Sequence, residues 1–212
     1  MTQHYFNPDP DAHSRPATVD LVLPDLHLRL GTDRGVFSPD KVDLGTRVLL
    51  ESVPAPPQQG RLLDVGCGYG PIALAMAARA PRASVLGVDV NARALSLAVN
   101  NAESNHLDNV RFCLIGEDGA PAPGTADDAA PTLAGPFDAI WSNPPVRVGK
   151  TVLHGLLRTW LGRLSPAGAA HLVVQKNLGA DSLQRWLEQT GHPTERVASR
   201  AGYRILRATR AD

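Results

Sequence analysis

The segment best suited to bind a ligand is a glycine-rich turn at residues 64–70, Asp-Val-Gly-Cys-Gly-Tyr-Gly. Glycine adopts backbone angles that other residues resist, and it lets a ligand approach the main chain closely. The turn lies between a predicted strand at 61–65 and a predicted helix at 71–80, and the free N–H groups at a helix start favour a carboxylate or a phosphate. Asp89, about 20 residues further on, ends the next predicted strand, where an acid accepts hydrogen bonds from ribose hydroxyls in nucleotide-binding sheets.

Two ligands fit this arrangement, a dinucleotide and S-adenosylmethionine. The dinucleotide fingerprint requires a glycine where this sequence has Pro71. The spacing Gly66-x-Gly68-x-Gly70, with Asp64 ahead of it, instead favours S-adenosylmethionine. A tight strand-to-helix turn that binds no ligand is the remaining alternative.

A second motif, Asn143-Pro144-Pro145, follows a predicted strand at 137–141, and ligands bind at the carboxyl ends of strands in such sheets. An exocyclic amine is a poor nucleophile because its lone pair is delocalised, and its two N–H groups need two acceptors. The Asn143 side-chain oxygen supplies one acceptor, and the Pro144 carbonyl, on a backbone that prolines make rigid, supplies the other. Catalysis would then rest on positioning and desolvation, without a metal or a covalent intermediate. The alternative is a simple turn.

The elements that must position both motifs form an alternating series, which predicts an α/β doubly wound parallel sheet with an antiparallel edge. The predicted strands are 26–30, 61–65, 84–89, 110–115, 137–141, 169–174 and a closing pair at Val197 and 203–208. A first helix is predicted to start at Ser38, and four more are predicted at 71–80, 91–101, 151–164 and 178–189. Residues 1–19 read as a surface arm and 116–135 as a loop. We expect an N-terminal extension, 1–59, packed on a catalytic domain, 60–212.

Composition limits the possible partners. The 212 residues carry 21 Lys and Arg against 21 Asp and Glu, so a non-specific basic coat for nucleic acid is excluded and any RNA contact is local. Two cysteines, Cys67 and Cys113, form no disulfide framework, and the seven histidines show no metal-ligand spacing. No leader or membrane-spanning run is recognisable, so we expect a soluble cytoplasmic protein.

Together the two motifs resemble those of the amino methyltransferases that act on DNA, RNA or protein glutamine. Further segments, at 35–38, 42–46, 144–150 and 202–206, resemble the methyltransferase small domain, and within it the 16S rRNA guanine-N2 methyltransferases. The resemblance covers nearly the whole chain. It implies a Rossmann-like seven-stranded sheet in the order 3-2-1-4-5-7-6, S-adenosylmethionine as cofactor, and ribosomal RNA or the small ribosomal subunit as partner.

The resemblance also implies roles by position. The residues that would align the target amine are Asn143, Pro144 and Pro145. Those that would line the cofactor pocket are Asp64, Gly66, Cys67, Gly68, Gly70, Asp89, Val90, Asn91, Glu117, Asp118 and Asn143, with Asp89 on the ribose and Glu117 or Asp118 at the adenine. Those that would contact the substrate are Phe37, Val146, Arg147 and Lys150.

Several alternatives stay open at this point. Position 146 is often aromatic in amino methyltransferases, so Val146 argues against an adenine or glutamine acceptor. Phe37 is equally well interpreted as a core residue or as a substrate contact. Arg147 and Lys150 are equally well interpreted as solvated charges or as phosphate ligands. Better-known relatives carry a second N-terminal domain. The rival functions are methylation of protein glutamine, tRNA or DNA adenine, and a non-catalytic module that binds the cofactor or RNA.

Overall fold

The computed structural model describes residues 13–116, 118–122 and 133–210. Glu117, most of the predicted loop at 116–135 and residues 1–12 lie outside the described residues, as does the side chain of Arg147. No helix in the described ranges is long and apolar enough to cross a bilayer.

Strands and helices alternate through most of the chain, as the sequence predicts. The strands are β1 Ala17–Leu23, β2 Leu26–Thr32, β3 Arg61–Val65, β4 Ser84–Asp89, β5 Val110–Leu114, β6 Phe137–Ser142, β7 Leu164–Gln175, β8 Thr194–Arg200 and β9 Tyr203–Thr209. The α-helices are α1 Leu44–Ser52, α2 Pro71–Arg79, α3 Ala92–Ser104, α4 Lys150–Leu161 and α5 Ala180–Gln189.

Seven strands form one sheet in the order β5-β4-β3-β6-β7-β9-β8. Strands β3 to β7 pair in parallel, whereas β9 is antiparallel to both β7 and β8. Counted from β3, this is the order 3-2-1-4-5-7-6, so the predicted fold class and the antiparallel edge are both confirmed. In register, Asp64 of β3 lies opposite Gly87 of β4 and Trp141 of β6, which brings the ends of these three strands together.

The sheet separates two apolar clusters, because successive strand residues point to opposite faces. Leu62 belongs to the cluster beneath α1, α2 and α3, whereas Leu63 belongs to the cluster beneath α4 and α5. Both side chains are fully buried. With helices over both faces, the carboxyl edge of the sheet is left as the place where the glycine turn and the Asn-Pro-Pro motif meet.

The N-terminal part of the chain differs from the prediction in two places. Residues 17–19, predicted as the end of the surface arm, instead belong to β1, which spans 17–23 and pairs antiparallel with β2. The first helix begins at Leu44 rather than at Ser38, which has a φ of 52°. A capping residue takes an extended backbone, and here Asp43 has that backbone and its carboxylate accepts from the Thr46 N–H at 3.1 Å.

Candidate functional site

The glycine turn between β3 and α2 needs its three glycines. Gly66, Gly68 and Gly70 have φ of 75°, 55° and 98°, in the left-handed region that side chains disfavour. The N–H groups of Gly66 and the next residue donate to the Val88 carbonyl at 2.9 and 3.0 Å, so the turn is fastened to β4. Gly70 precedes α2, whose first residue is Pro71, and the helix therefore begins directly at the turn.

Asp89 ties the end of β4 to the same turn. One carboxylate oxygen accepts from the Gly68 N–H at 2.8 Å, and the other accepts from the Asn91 N–H at 2.9 Å. The Asn91 side chain caps α3 by accepting from Ala94 at 3.0 Å, and it donates to the Gly35 carbonyl at 2.9 Å. Asp89 therefore lies where a ribose-binding acid is predicted, whereas the side chain of Asn91 supports the surrounding backbone.

Asp64 is fully buried beneath the turn. Its Oδ2 accepts from the Ala73 N–H at 2.9 Å, but its buried Oδ1 has no hydrogen-bond partner among the described residues. Burial raises the pKa of the Asp64 carboxyl well above its ordinary value, the bond from Ala73 lowers it, and the nearby charge of Asp89 raises it. An unsatisfied carboxylate oxygen is costly in the folded protein, so this atom is suited to a cationic or hydrogen-bond-donating ligand.

Cys67 is a packing residue of the turn. Burial, with the charges of Asp89 and Asp64, raises the pKa of its thiol well above the ordinary value, so the residue is a poor nucleophile. A methyl group on Gly87 of β4 would lie 3.0 Å from its sulfur, which shows how closely the turn packs on the neighbouring strand. Val90 is half-buried and packs against the cluster beneath α4 and α5.

The Asn-Pro-Pro motif lies beside the glycine turn. The Ser142 hydroxyl at the end of β6 donates to the Val65 carbonyl at 2.6 Å, which locks the two strand ends together. A methyl group on Gly66 would lie 4.0 Å from the Pro145 ring. The amide nitrogen of Asn143 donates to Asp43 Oδ2 at 2.8 Å and to Thr46 Oγ1 at 3.1 Å.

The two prolines form a tight turn of their own. Pro145 has φ −74° and ψ 71°, the geometry of an inverse γ-turn, and the Pro144 carbonyl accepts from the Val146 N–H at 2.8 Å. A carbonyl oxygen has two lone pairs, so Pro144 can still accept one hydrogen bond from a ligand. Val146 is half-buried against the cluster beneath α4 and α5.

A small cleft joins the two motifs, and its walls include Phe37, Asp43, Gly68, Tyr69 and Asn143. Phe37 is 47% exposed, so its interpretation as a core residue is wrong. Tyr69 is buried, and its hydroxyl donates to the Ser38 carbonyl at 3.4 Å. Burial, with the charge of Asp43, raises the pKa of the Tyr69 phenol, which is therefore neutral.

The structure does not bring every predicted residue to this cleft. Asp118 is exposed; its carboxylate accepts from the Ala120 N–H at 2.9 Å, and its carbonyl accepts from Thr159 of α4 at 3.3 Å. Its predicted contact with an adenine, like that of the undescribed Glu117, stays a prediction. Lys150 is exposed at the first residue of α4, five positions after Pro145.

Sequence reasoning missed Asp43 and Thr46 as site residues. Their contacts with Asn143 span 100 and 97 positions of the chain, so no local pattern reveals them. Asp43 was nevertheless recognisable as a helix cap, because Asp before an apolar run is a start signal. Placing the helix start at Ser38 hid this signal.

The comparisons with known proteins show the family to which the chain belongs. The family model of the methyltransferase small domain matches residues 27–207. The uncharacterized protein YbxB of Bacillus subtilis is 35% identical to this chain and is covered over 98% of both lengths. Ribosomal RNA small subunit methyltransferase C of Pseudomonas aeruginosa is 31% identical over 96% of this chain and 57% of its own length.

Solved structures include a 16S rRNA N2 G1207 methyltransferase of T. thermophilus, in complex with AdoMet and guanosine. It superimposes with a TM-score of 0.73 at 25% identity, over 92% of this chain and 50% of that one. The chain therefore spans about half the length of the rRNA methyltransferases that it matches.

Proposed function

Because the chain belongs to the methyltransferase small domain family and is an S-adenosylmethionine-dependent methyltransferase, we propose that it methylates N2 of guanine in ribosomal RNA. The observation that carries the proposal is the contact between its two motifs, with Pro145 next to Gly66 and Ser142 bonded to Val65. This contact supports the proposal because it sets the Asn-Pro-Pro motif beside the glycine turn.

The residues around the turn fit the cofactor. S-adenosylmethionine supplies an electrophilic methyl group on a positively charged sulfur, and it also carries an ammonium and a carboxylate. The buried carboxyls of Asp64 and Asp89 suit the positive groups and the ribose hydroxyls, and the positive dipole end at the start of α2 suits the carboxylate. The unpartnered Oδ1 of Asp64 has the chemistry for a hydrogen bond from a donor on the ligand.

At the Asn-Pro-Pro turn the protein provides hydrogen-bond acceptors for an amine. The side-chain oxygen of Asn143 and the second lone pair of the Pro144 carbonyl would each accept one N–H, leaving the nitrogen lone pair directed at the methyl carbon. When bound, S-adenosylmethionine would supply the methyl group and leave as a neutral thioether, while Asn143 and Pro144 would hold the amine, from which one N–H proton would pass to solvent. The proposed gain comes from positioning in a rigid site.

The acceptor proposed here is a base in RNA. Phe37 offers an exposed aromatic ring in the same cleft as Asn143, and aromatic rings stack on extruded bases. In a chain of zero net charge, residues 139–180 contain five Lys or Arg and no Asp or Glu. Lys150 and Arg158 from this segment are both exposed on α4, where they would contact phosphates. The undescribed side chain of Arg147 follows the same motif and has the same proposed role.

The test is methyl transfer from tritium-labelled S-adenosylmethionine to unmodified small-subunit RNA or subunits, with tRNA and a release factor as parallel acceptors. We expect label in N2-methylguanosine, and a loss of about 100-fold or more in kcat for Asn143→Ala, as for other preorganised polar groups at reacting atoms. Asn100→Ala, at an exposed position of α3, is the matched control and keeps full activity.

Other products would redirect the proposal. Label in methyladenine or in protein glutamine keeps the amine chemistry and overturns guanine as the acceptor. Cofactor binding without transfer to any of these polymers overturns the enzymatic proposal in favour of a binding module.

A further inference from the structure

We propose that Asp43 and Thr46 are positioning residues that hold the Asn143 amide in one orientation, so that this side chain can only accept hydrogen bonds from the substrate. The consequence is a specificity rule: the methylated atom must itself carry hydrogen. The inference rests on the proposed function for its amine acceptor, but it concerns two residues outside both motifs.

The geometry accounts for both protons of the Asn143 amide. One goes to Asp43 Oδ2 at 2.8 Å, and the other goes to Thr46 Oγ1 at 3.1 Å. An ionised carboxylate has no proton to donate, so the group that faces Asp43 must be the NH2 end of the amide. A flipped amide would set its oxygen against the carboxylate at the same short distance. Oδ1 is therefore the atom left for a ligand.

The two supporting residues are themselves fixed. Thr46 is 4% exposed, and its N–H donates to the Asp43 carboxylate at 3.1 Å at the start of α1. A methyl group on Gly45 would lie only 2.9 Å from Asp43 Oδ2, so the carboxylate is closely packed. Helix α1 is anchored by the buried Leu49 and Leu50. The N-terminal segment thus holds the Asp43 carboxylate rigidly against the Asn143 amide.

The charge of Asp43 adds a second effect. A hydrogen bond from Nδ2 to an anion polarises the amide and makes Oδ1 of Asn143 a stronger acceptor. The target nitrogen becomes more positive as its bond to the methyl carbon forms, so its N–H donates more strongly in the transition state than before. The arrangement should therefore affect kcat more than substrate binding.

Thr46→Val tests the orientation because it keeps the shape of the side chain but removes the acceptor. Thr46→Ser restores a hydroxyl, and Thr194→Val, at the distant strand β8, is the matched control. We expect Thr46→Val to lower kcat about tenfold, with the Kd for S-adenosylmethionine and the acceptor KM within about twofold of wild type. Thr46→Ser should recover most of the loss, and the control should show none.

Asp43→Ser separates positioning from helix capping, since serine caps helices about as well as aspartate. We expect a small change in Tm and a 10- to 100-fold lower kcat, the range for losing a hydrogen bond to a charged group. Equal kcat in Thr46→Val and wild type, or no recovery in Thr46→Ser, would overturn the proposal. So would losses confined to cofactor Kd.

The identity of the methylated atom distinguishes a failure of this proposal from a failure of the proposed function on which it rests. Wild-type label on adenine N6 or on a glutamine amide overturns guanine as the acceptor but obeys the specificity rule. Label on an atom that carries no hydrogen, such as guanine N7 or adenine N1, overturns the rule itself.

Discussion

Replacing the buried carboxyl of Asp64 is expected to stabilise the cofactor-free protein while weakening its cofactor binding. Asp64→Asn keeps the size of the side chain, and its oxygen can still accept the bond from Ala73. The variant removes the charge from a fully buried group whose Oδ1 has no partner among the described residues. It leaves an NH2 group at that position, which is neutral and therefore cheaper to bury than a carboxylate.

The sign of the effect and its pH dependence follow from proton linkage. Burial raises the pKa of Asp64 above its unfolded value of 3.8, so the folded state holds a proton over a pH range in which the unfolded chain has lost it. The free energy of unfolding therefore falls as the pH rises through that range, by about 1.4 kcal/mol for each unit of pKa difference. A buried unsatisfied neutral group costs about 1–3 kcal/mol and a charged one costs more, so we expect Asp64→Asn to be more stable than wild type near pH 8.

Urea unfolding from pH 5 to pH 8.5, without cofactor, measures this difference, which should grow with pH. Isothermal titration with S-adenosylmethionine should show a Kd at least about tenfold weaker in the variant, because a hydrogen bond to a charged group is lost. Asp138→Asn is the control, since both oxygens of Asp138 are bonded, to Arg61 N and Ser165 Oγ at 2.9 Å each. That variant should lose stability. An Asp64→Asn protein that is less stable than wild type at every pH would refute the reasoning.

Two further variants test the surface and the packing around the site. Lys150→Ala should raise the KM for RNA and reduce the slope of log KM against log salt by roughly one. The control Arg82→Ala removes an exposed cation before β4 and should change neither quantity. Equal effects of the two variants would contradict a local phosphate contact. Gly87→Ala would put a methyl carbon 2.6 Å from the Phe112 ring and 3.0 Å from Cys67 Sγ. Denaturation should therefore show a free energy of unfolding lower by about 1–3 kcal/mol, and titration should show weaker cofactor binding. Unchanged cofactor affinity in a destabilised Gly87→Ala protein would mean that the turn does not depend on this contact.

The central sheet was predictable because its strands are short, apolar and bounded by turn residues. The bounds of β4 match the prediction, and Asn91 caps α3 as expected. Strand β1 was missed although Val19, Leu21 and Leu23 alternate with exposed residues. The polar, proline-bearing residues ahead of it outweighed that alternation, and its pairing with β2 is tertiary information.

The candidate site depends on contacts that local sequence patterns cannot predict. Ser38-Pro39 satisfies the rule for a helix start as well as Asp43 does, so propensity alone cannot choose between them. A serine at position 43 would also cap α1, and helix formation alone therefore does not require an aspartate there. An aspartate also fixes the direction of the Asn143 amide, because a carboxylate can only accept, and this amide lies 100 positions away and 2.8 Å distant. The choice of residue at this cap is thus explained by the contact across the fold, and a reading of neighbouring residues cannot contain that contact.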